Sequence, residues 1–217
     1  MTMSWMGEAS DFSLDALTAR RLLGAAAIIG AIVLASLALP ALAHRTLVET
    51  FRENGPIEGF QAILYGVAAV CFAVAAVRSG DRLHRLTFAG LALFVACLML
   101  RELDFTHSGL PTLAYLVNGP PLVVVAGLAW LGFAAAAWRG RGGLVATGLA
   151  WLRGRGGVPL LAAAVLLLVG SLFDHHAFPL SRTADMVGEE VLELFASALV
   201  LLSAVAALHA GAAPRRG

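Results

Sequence analysis

Long apolar runs alternate with short polar breaks along this chain. A bilayer span takes roughly 20 apolar residues at about 1.5 Å rise each. Six runs approach or exceed that length: 22–43, 57–77, 83–100, 120–138, 158–173 and 188–208. Most are apolar on every side, the pattern of helices surrounded by lipid or by other helices. The pattern predicts an all-α, polytopic membrane protein, a bundle of six transmembrane helices over residues 22–209. Short tails, 1–21 and 210–217, flank it. The first run has a rival reading, because Arg20-Arg21, an apolar stretch and Ala41-Leu42-Ala43 imitate a secretory signal with a small-residue cleavage site. Signal cores run about 7–15 residues. This run is longer, so an uncleaved anchor is expected.

Composition supports a membrane protein. The chain is 59% hydrophobic and 13% charged, with a mean hydropathy of +0.84, far from the roughly one-quarter charged residues of soluble domains. A net charge of +1 offers no field for nucleic acid. Cys71 and Cys97 both fall inside apolar runs and read as small apolar filler. Every basic residue is Arg, and Ala, Leu and Gly dominate, a usage associated with GC-rich bacteria.

Arginine placement sets the expected orientation. Eleven of the fifteen lie in the N-terminal tail, the second and fourth loops and the C-terminal tail; Arg45, Arg52, Arg101 and Arg182 lie in the alternate loops. Basic residues favour the cytoplasm, so both termini are expected inside a bacterial inner membrane. The fourth loop duplicates Arg-Gly-Arg-Gly-Gly at 139–143 and 153–157 around the apolar stretch 144–152. Two readings stay open there: a short helix on the inner leaflet with arginines near anionic lipid, or a flexible Gly-rich loop.

The acids obey the same alternation. Ten of the fourteen Asp and Glu lie at 49–58, 102–104 and 174–193, and His44, His107, His175 and His176 lie in or beside these stretches. All three stretches are expected at the periplasmic face. Glu58, Gln61 and Tyr65 recur at i, i+3, i+7 on the second span, and Glu190, Glu193 and Ser197 do so on the last. Each set shares one helix face. A carboxylate such as Glu193, more than a turn inside the membrane, is expected to look into the bundle. Glu189 and Glu190 are expected in the first turn of the last helix, where the helix dipole favours negative charge. Arg101 stands within reach of Asp104 and is expected either to bind substrate or to form a structural clamp with Glu58 or Glu193.

Carboxylates with imidazole suit a divalent metal, Zn, Mn or Mg. The candidate ligands are Asp174, His175, Glu190 and Glu193. Glu58 or Glu102 is the candidate general base, and Arg101 the candidate anchor for an anionic group. Metal motifs such as His-Glu-x-x-His and Glu-x-x-His are missing from the sequence. The first expectation is a metal-assisted hydrolase or transferase acting on a lipid or lipid-linked substrate. The alternative is a non-catalytic subunit or assembly factor, locked by an Arg–carboxylate network and meeting a protein partner at the periplasmic face. Divalent-cation or proton transport ranks third, because the inner halves of the runs carry almost no ionisable residues.

The segments Glu53-Asn54-Gly55-Pro56-Ile57-Glu58, Arg101-Glu102-Leu103-Asp104 and Glu189-Glu190-x-x-Glu193 resemble those of a group of bacterial multi-pass inner-membrane proteins. That resemblance implies the polytopic fold and no particular activity. The paired-histidine last helix of the alkaline ceramidase and progestin/adiponectin receptor superfamily is missing.

Overall fold

A computed structural model describes residues 31, 38, 51, 55–103, 105, 110–138, 140–154, 156–175 and 180–211. Of the first expected span only Ala31 and Ala38 are described, both helical. The choice between anchor and signal therefore lies outside the described residues, as do His44, Asp104, His107, His176 and the side chain of Asp174. Among the described residues all regular structure is helical: α1 (Pro56–Arg78), α2 (Arg82–Glu102), α3 (Pro111–Asn118), α4 (Pro120–Trp138), α5 (Arg141–Arg153), α6 (Gly157–Asp174) and α7 (Arg182–Gly211).

Four stretches are long and apolar enough to cross a membrane: α1, α2, α3 with α4, and α7. Counted as one span, the bent pair α5–α6 would make a fifth. Helices of this length and apolarity suit a multi-pass membrane protein. The expected spans at 57–77, 83–100, 120–138 and 158–173 agree with helix positions to within about two residues. Residues 144–152 form the body of a helix, which meets α6 at 88°. Of the two readings left open there, the helix is the one observed.

Local chemistry explains the boundaries. Pro56 opens α1 where a missing N–H costs nothing, and Ser79 closes it by bonding back to the carbonyls of Ala75 and Ala76. Asp81 caps α2 by accepting from the His84 N–H at 2.9 Å, and the His84 ring approaches the same oxygen. These contacts, the backbone N–H foremost, hold the Asp81 carboxyl below the usual carboxylate range. The last helix departs from expectation. It starts at Arg182, with the Ser181 hydroxyl accepting from the Ala184 N–H, about two turns before the expected start at 188. Asp185 therefore occupies the first turn, and Glu189 and Glu190 lie inside the helix.

The core is a row of helices, α2 against α1, α1 against α7 and α7 against α6. Small residues let them approach: Ala68 and Ala75 of α1 and Ala196, Ala204 and Ala207 of α7 are fully covered. Such packing is how helices associate in a solvent as apolar as they are. At one end of the row Phe72 and Phe88 stack at 6.5 Å between centroids, and Trp151 meets both edge to face at 6.1 and 5.8 Å. There Ser203 of α7 donates to the Gly156 carbonyl at 2.6 Å, tying α7 to the α5–α6 corner. At the other end Asn118 holds the stretch after α2, donating to the Leu103 carbonyl and accepting from the Phe105 N–H. α4 packs least; Val123, Leu128 and Leu131 are more than half exposed, as lipid-facing side chains are.

Truncating Phe72, fully buried, removes packing without returning apolar area to water. The cavity part of the cost then dominates. Phe72→Ala should lower unfolding free energy in detergent by about 2–3 kcal/mol. Val70→Ala, at an exposed position, should leave it within about 0.5 kcal/mol. Thermal or denaturant unfolding measures both.

Candidate functional site

The start of α1, the end of α2 and the third to fifth turns of α7 meet at the end opposite the aromatic cluster. Each brings polar side chains the sequence places on one face. From α1 come Glu58, Gln61 and Tyr65, with Gln61 and Tyr65 fully buried; from α7 come Glu190, Glu193 and Ser197, with Glu193 and Ser197 buried. The inward orientation expected for Glu193 is observed. A hydrophobic collar of Ile57, Leu64, Leu194 and Ala198 surrounds the set.

Two polar ties cross between helices. Arg101 of α2 donates through Nη2 to Glu193 Oε1 at 2.6 Å and through Nε to Glu102 Oε1 at 2.9 Å. Its side chain is 55% exposed, while those of Glu102 and Glu193 are 5% and 11% exposed. The guanidinium thus reaches outward from two covered carboxylates. Gln61 of α1 donates from Nε2 to both the carbonyl and the carboxylate of Glu190 at 3.2 and 3.1 Å. Charge-assisted bonds of this kind are short and among the stronger polar contacts. The clamp expected for Arg101 exists, with Glu193 rather than Glu58 as its interhelical partner.

The remaining acids crowd the same space. Glu190 lies within electrostatic reach of Glu193, Glu58 and Glu102, and Glu102 lies within reach of Glu58. Tyr65 sits among Glu102, Glu193 and Arg101. Its Oη and the Oε1 of Gln61 are buried with no hydrogen-bond partner among the described residues. Buried polar atoms are almost always satisfied, so this pair marks a place suited to water or a ligand polar atom. Tyr65 and Gln61 were legible as a stripe on α1, but their burial beneath Arg101 was not.

Of the expected ligands, the side chain of Asp174 lies outside the described residues, and His175, Glu190 and Glu193 form no metal-holding group among the described residues. His175 is exposed, and its Nδ1 lies 2.7 Å from the Ser171 carbonyl of its own helix. No group of three His, Cys, Asp or Glu among the described residues is placed to hold a metal ion. Glu190 and Glu193 lie one turn apart and make different ties, to Gln61 and to Arg101. α6 approaches the site at Gly170, where an added Cβ would lie in ordinary contact, 3.8 Å, with Glu193 and Leu192.

No protein-family model, curated protein or solved structure matches the chain.

Gln61→Leu removes both bonds to Glu190 and should lower stability by about 2 kcal/mol. Tyr65→Phe deletes a hydroxyl without a protein partner and should leave stability unchanged or raise it by up to about 1 kcal/mol. Unfolding of the two purified variants in one detergent tests the contrast.

Proposed function

We propose that this chain is a bacterial inner-membrane protein of six spans with both termini in the cytoplasm. Its acid-rich end faces the periplasm. It acts as a non-catalytic subunit or assembly factor, held in shape by the Arg101–carboxylate network. The observation that carries this reading is the donation of one guanidinium to Glu102 on its own helix and to Glu193 on α7. A group engaged in this way fixes helix positions before it does anything else. The arginine bias supports the orientation, and the alternating helix ends carry it through the bundle. The periplasmic face, with Arg101 reaching outward, is where a protein partner would dock.

A second reading is favoured by the unmatched atoms Tyr65 Oη and Gln61 Oε1. In it the same pocket takes a lipid or lipid-linked substrate for hydrolysis or group transfer, with Glu58 or Glu102 as general base. A divalent metal in that reading would be held by Asp174, His175, Glu190 and Glu193.

A double-mutant cycle separates the two. As a lock, Arg101→Gln and Glu193→Gln each cost about 2 kcal/mol, the pair costs little more than one alone, and partner capture is lost in proportion to stability. As a reacting site, Glu58→Gln or Tyr65→Phe leaves the fold intact while a co-purifying lipid-linked molecule or stoichiometric metal disappears. The orientation predicts that Cys introduced at Ser181 reacts with a membrane-impermeant thiol reagent from the periplasm. Cys at exposed Arg78, at the other end of α1, should react only after lysis.

A further inference from the structure

At the arginine-bearing end, α2, α4 and α5 leave an apolar cavity of about 300 Å³ between them. α5 contributes Leu144, Gly148 and Trp151, which share one helical face; α2 contributes Gly90, and α4 contributes Trp130 and Phe133. Glycines shape this cavity. A Cβ at Gly90 would lie 2.7 Å from the Phe133 ring, so the bare backbone lets that ring seat against α2. A Cβ at Gly148 would meet nothing within 4 Å, so the wall of α5 is open there. Trp130 and Phe133 meet edge to face at 5.7 Å and form the opposite wall.

The rim is basic. Leu83 packs against the Gly140–Gly143 segment, which brings the start of α2 beside the start of α5. Exposed Arg82 and Arg85 on α2 and exposed Arg141 and Arg153 on α5 therefore share this end. The Arg141 guanidinium lies 4.4 Å over the Trp138 ring, and Arg82 donates to the Ala136 carbonyl, so both are held in place. The acid here is Asp81, engaged with His84 at 2.9 Å. His209 closes the neighbouring end of α7 by approaching the Val205 carbonyl. α5 turns 88° from α6, so it runs along the bilayer surface if α6 crosses the bilayer. It carries apolar residues on the cavity face and arginine at each end.

We propose that this cavity binds one acyl chain of an anionic phospholipid, with the headgroup drawn to the positive field of the arginines at this end, Arg141 at one end of α5 and Arg153 at the other. Apolar walls with an open side suit a hydrocarbon chain, and the basic rim selects a negative headgroup over a zwitterionic one. The site lies at the other end of the bundle from the Arg101 cluster and is independent of the function proposed for that cluster.

The test uses the full-length chain, stripped of lipid in detergent and offered phosphatidylglycerol or phosphatidylcholine, with bound lipid counted by native mass spectrometry. Saturable retention of phosphatidylglycerol, one per chain and well above phosphatidylcholine, is expected. Gly148→Leu, which fills the cavity, should abolish retention. Gly148→Ala, whose methyl has room, should keep it and show that the position tolerates a side chain. Arg141→Gln and Arg153→Gln should each weaken the preference by about fivefold without altering the melting temperature of the lipid-free protein. Equal retention of the two lipids overturns the proposal, as does undiminished retention by Gly148→Leu. A shift to a two-chain mass that excludes lipid would assign the groove to a second copy and overturn it equally.

Discussion

In lipid a charge has nothing to bond to except the protein, and that constraint organises this bundle. Glu193 lies more than two turns inside a 30-residue helix; left facing hydrocarbon, its carboxylate would be costly. Arg101 at the end of α2 meets it, and Glu102 completes the arrangement. Gln61 then meets Glu190 one turn away. Because hydrophobic collapse gives little preference among helix pairs in an apolar solvent, a few polar ties and the fit of small residues choose the arrangement. The ties fix rotation: α1, α2 and α7 must turn the faces carrying Gln61, Arg101 and Glu193 towards one another. The alanines of α1 and α7 fix separation.

The two ends of the bundle use opposite solutions. At the acid end, polarity is drawn inward and covered by Ile57, Leu64 and Leu194. At the arginine end the charges stay outside and the interior is aromatic, with Phe72, Phe88 and Trp151 sealing the space below. No ionisable side chain joins the ends through the described helices α1, α2 and α7. The described interior is thus polar at one end and apolar at the other.

Much of the helical fold was legible because span length is set by bilayer thickness, and apolar runs report it directly. The stripes Glu58–Gln61–Tyr65 and Glu190–Glu193–Ser197 were legible because helical periodicity decides which side chains share a face. What the sequence left open were the partners. Arg101 had three plausible carboxylates within reach of some packing, and only the rotation of α7 selects Glu193. The start of α7 was misplaced because Gly188 imitates a boundary, whereas Ser181 supplies the cap. The grouping of His175 with Glu190 rested on the acid-bearing helix ends sharing one membrane face, which does not by itself set distances between side chains. His175 instead turns back to the carbonyl of Ser171 on its own helix.

The unmatched atoms decide how the acid end should be read. A network evolved only to lock helices gains from satisfying every polar atom, since each unsatisfied one weakens the lock by about as much as one good bond strengthens it. Arg101, Glu102 and Glu193 follow that logic. Tyr65 Oη and Gln61 Oε1 break it, at full burial and beside the same carboxylates. A phenylalanine would fill the Tyr65 site without leaving an orphan. No partner among the described residues meets the hydroxyl, a position that suits a water or another polar atom beside the clamp. In that arrangement the Arg101 clamp supplies rigidity, and the Tyr65–Gln61 pair supplies the polar surface that rigidity holds in place.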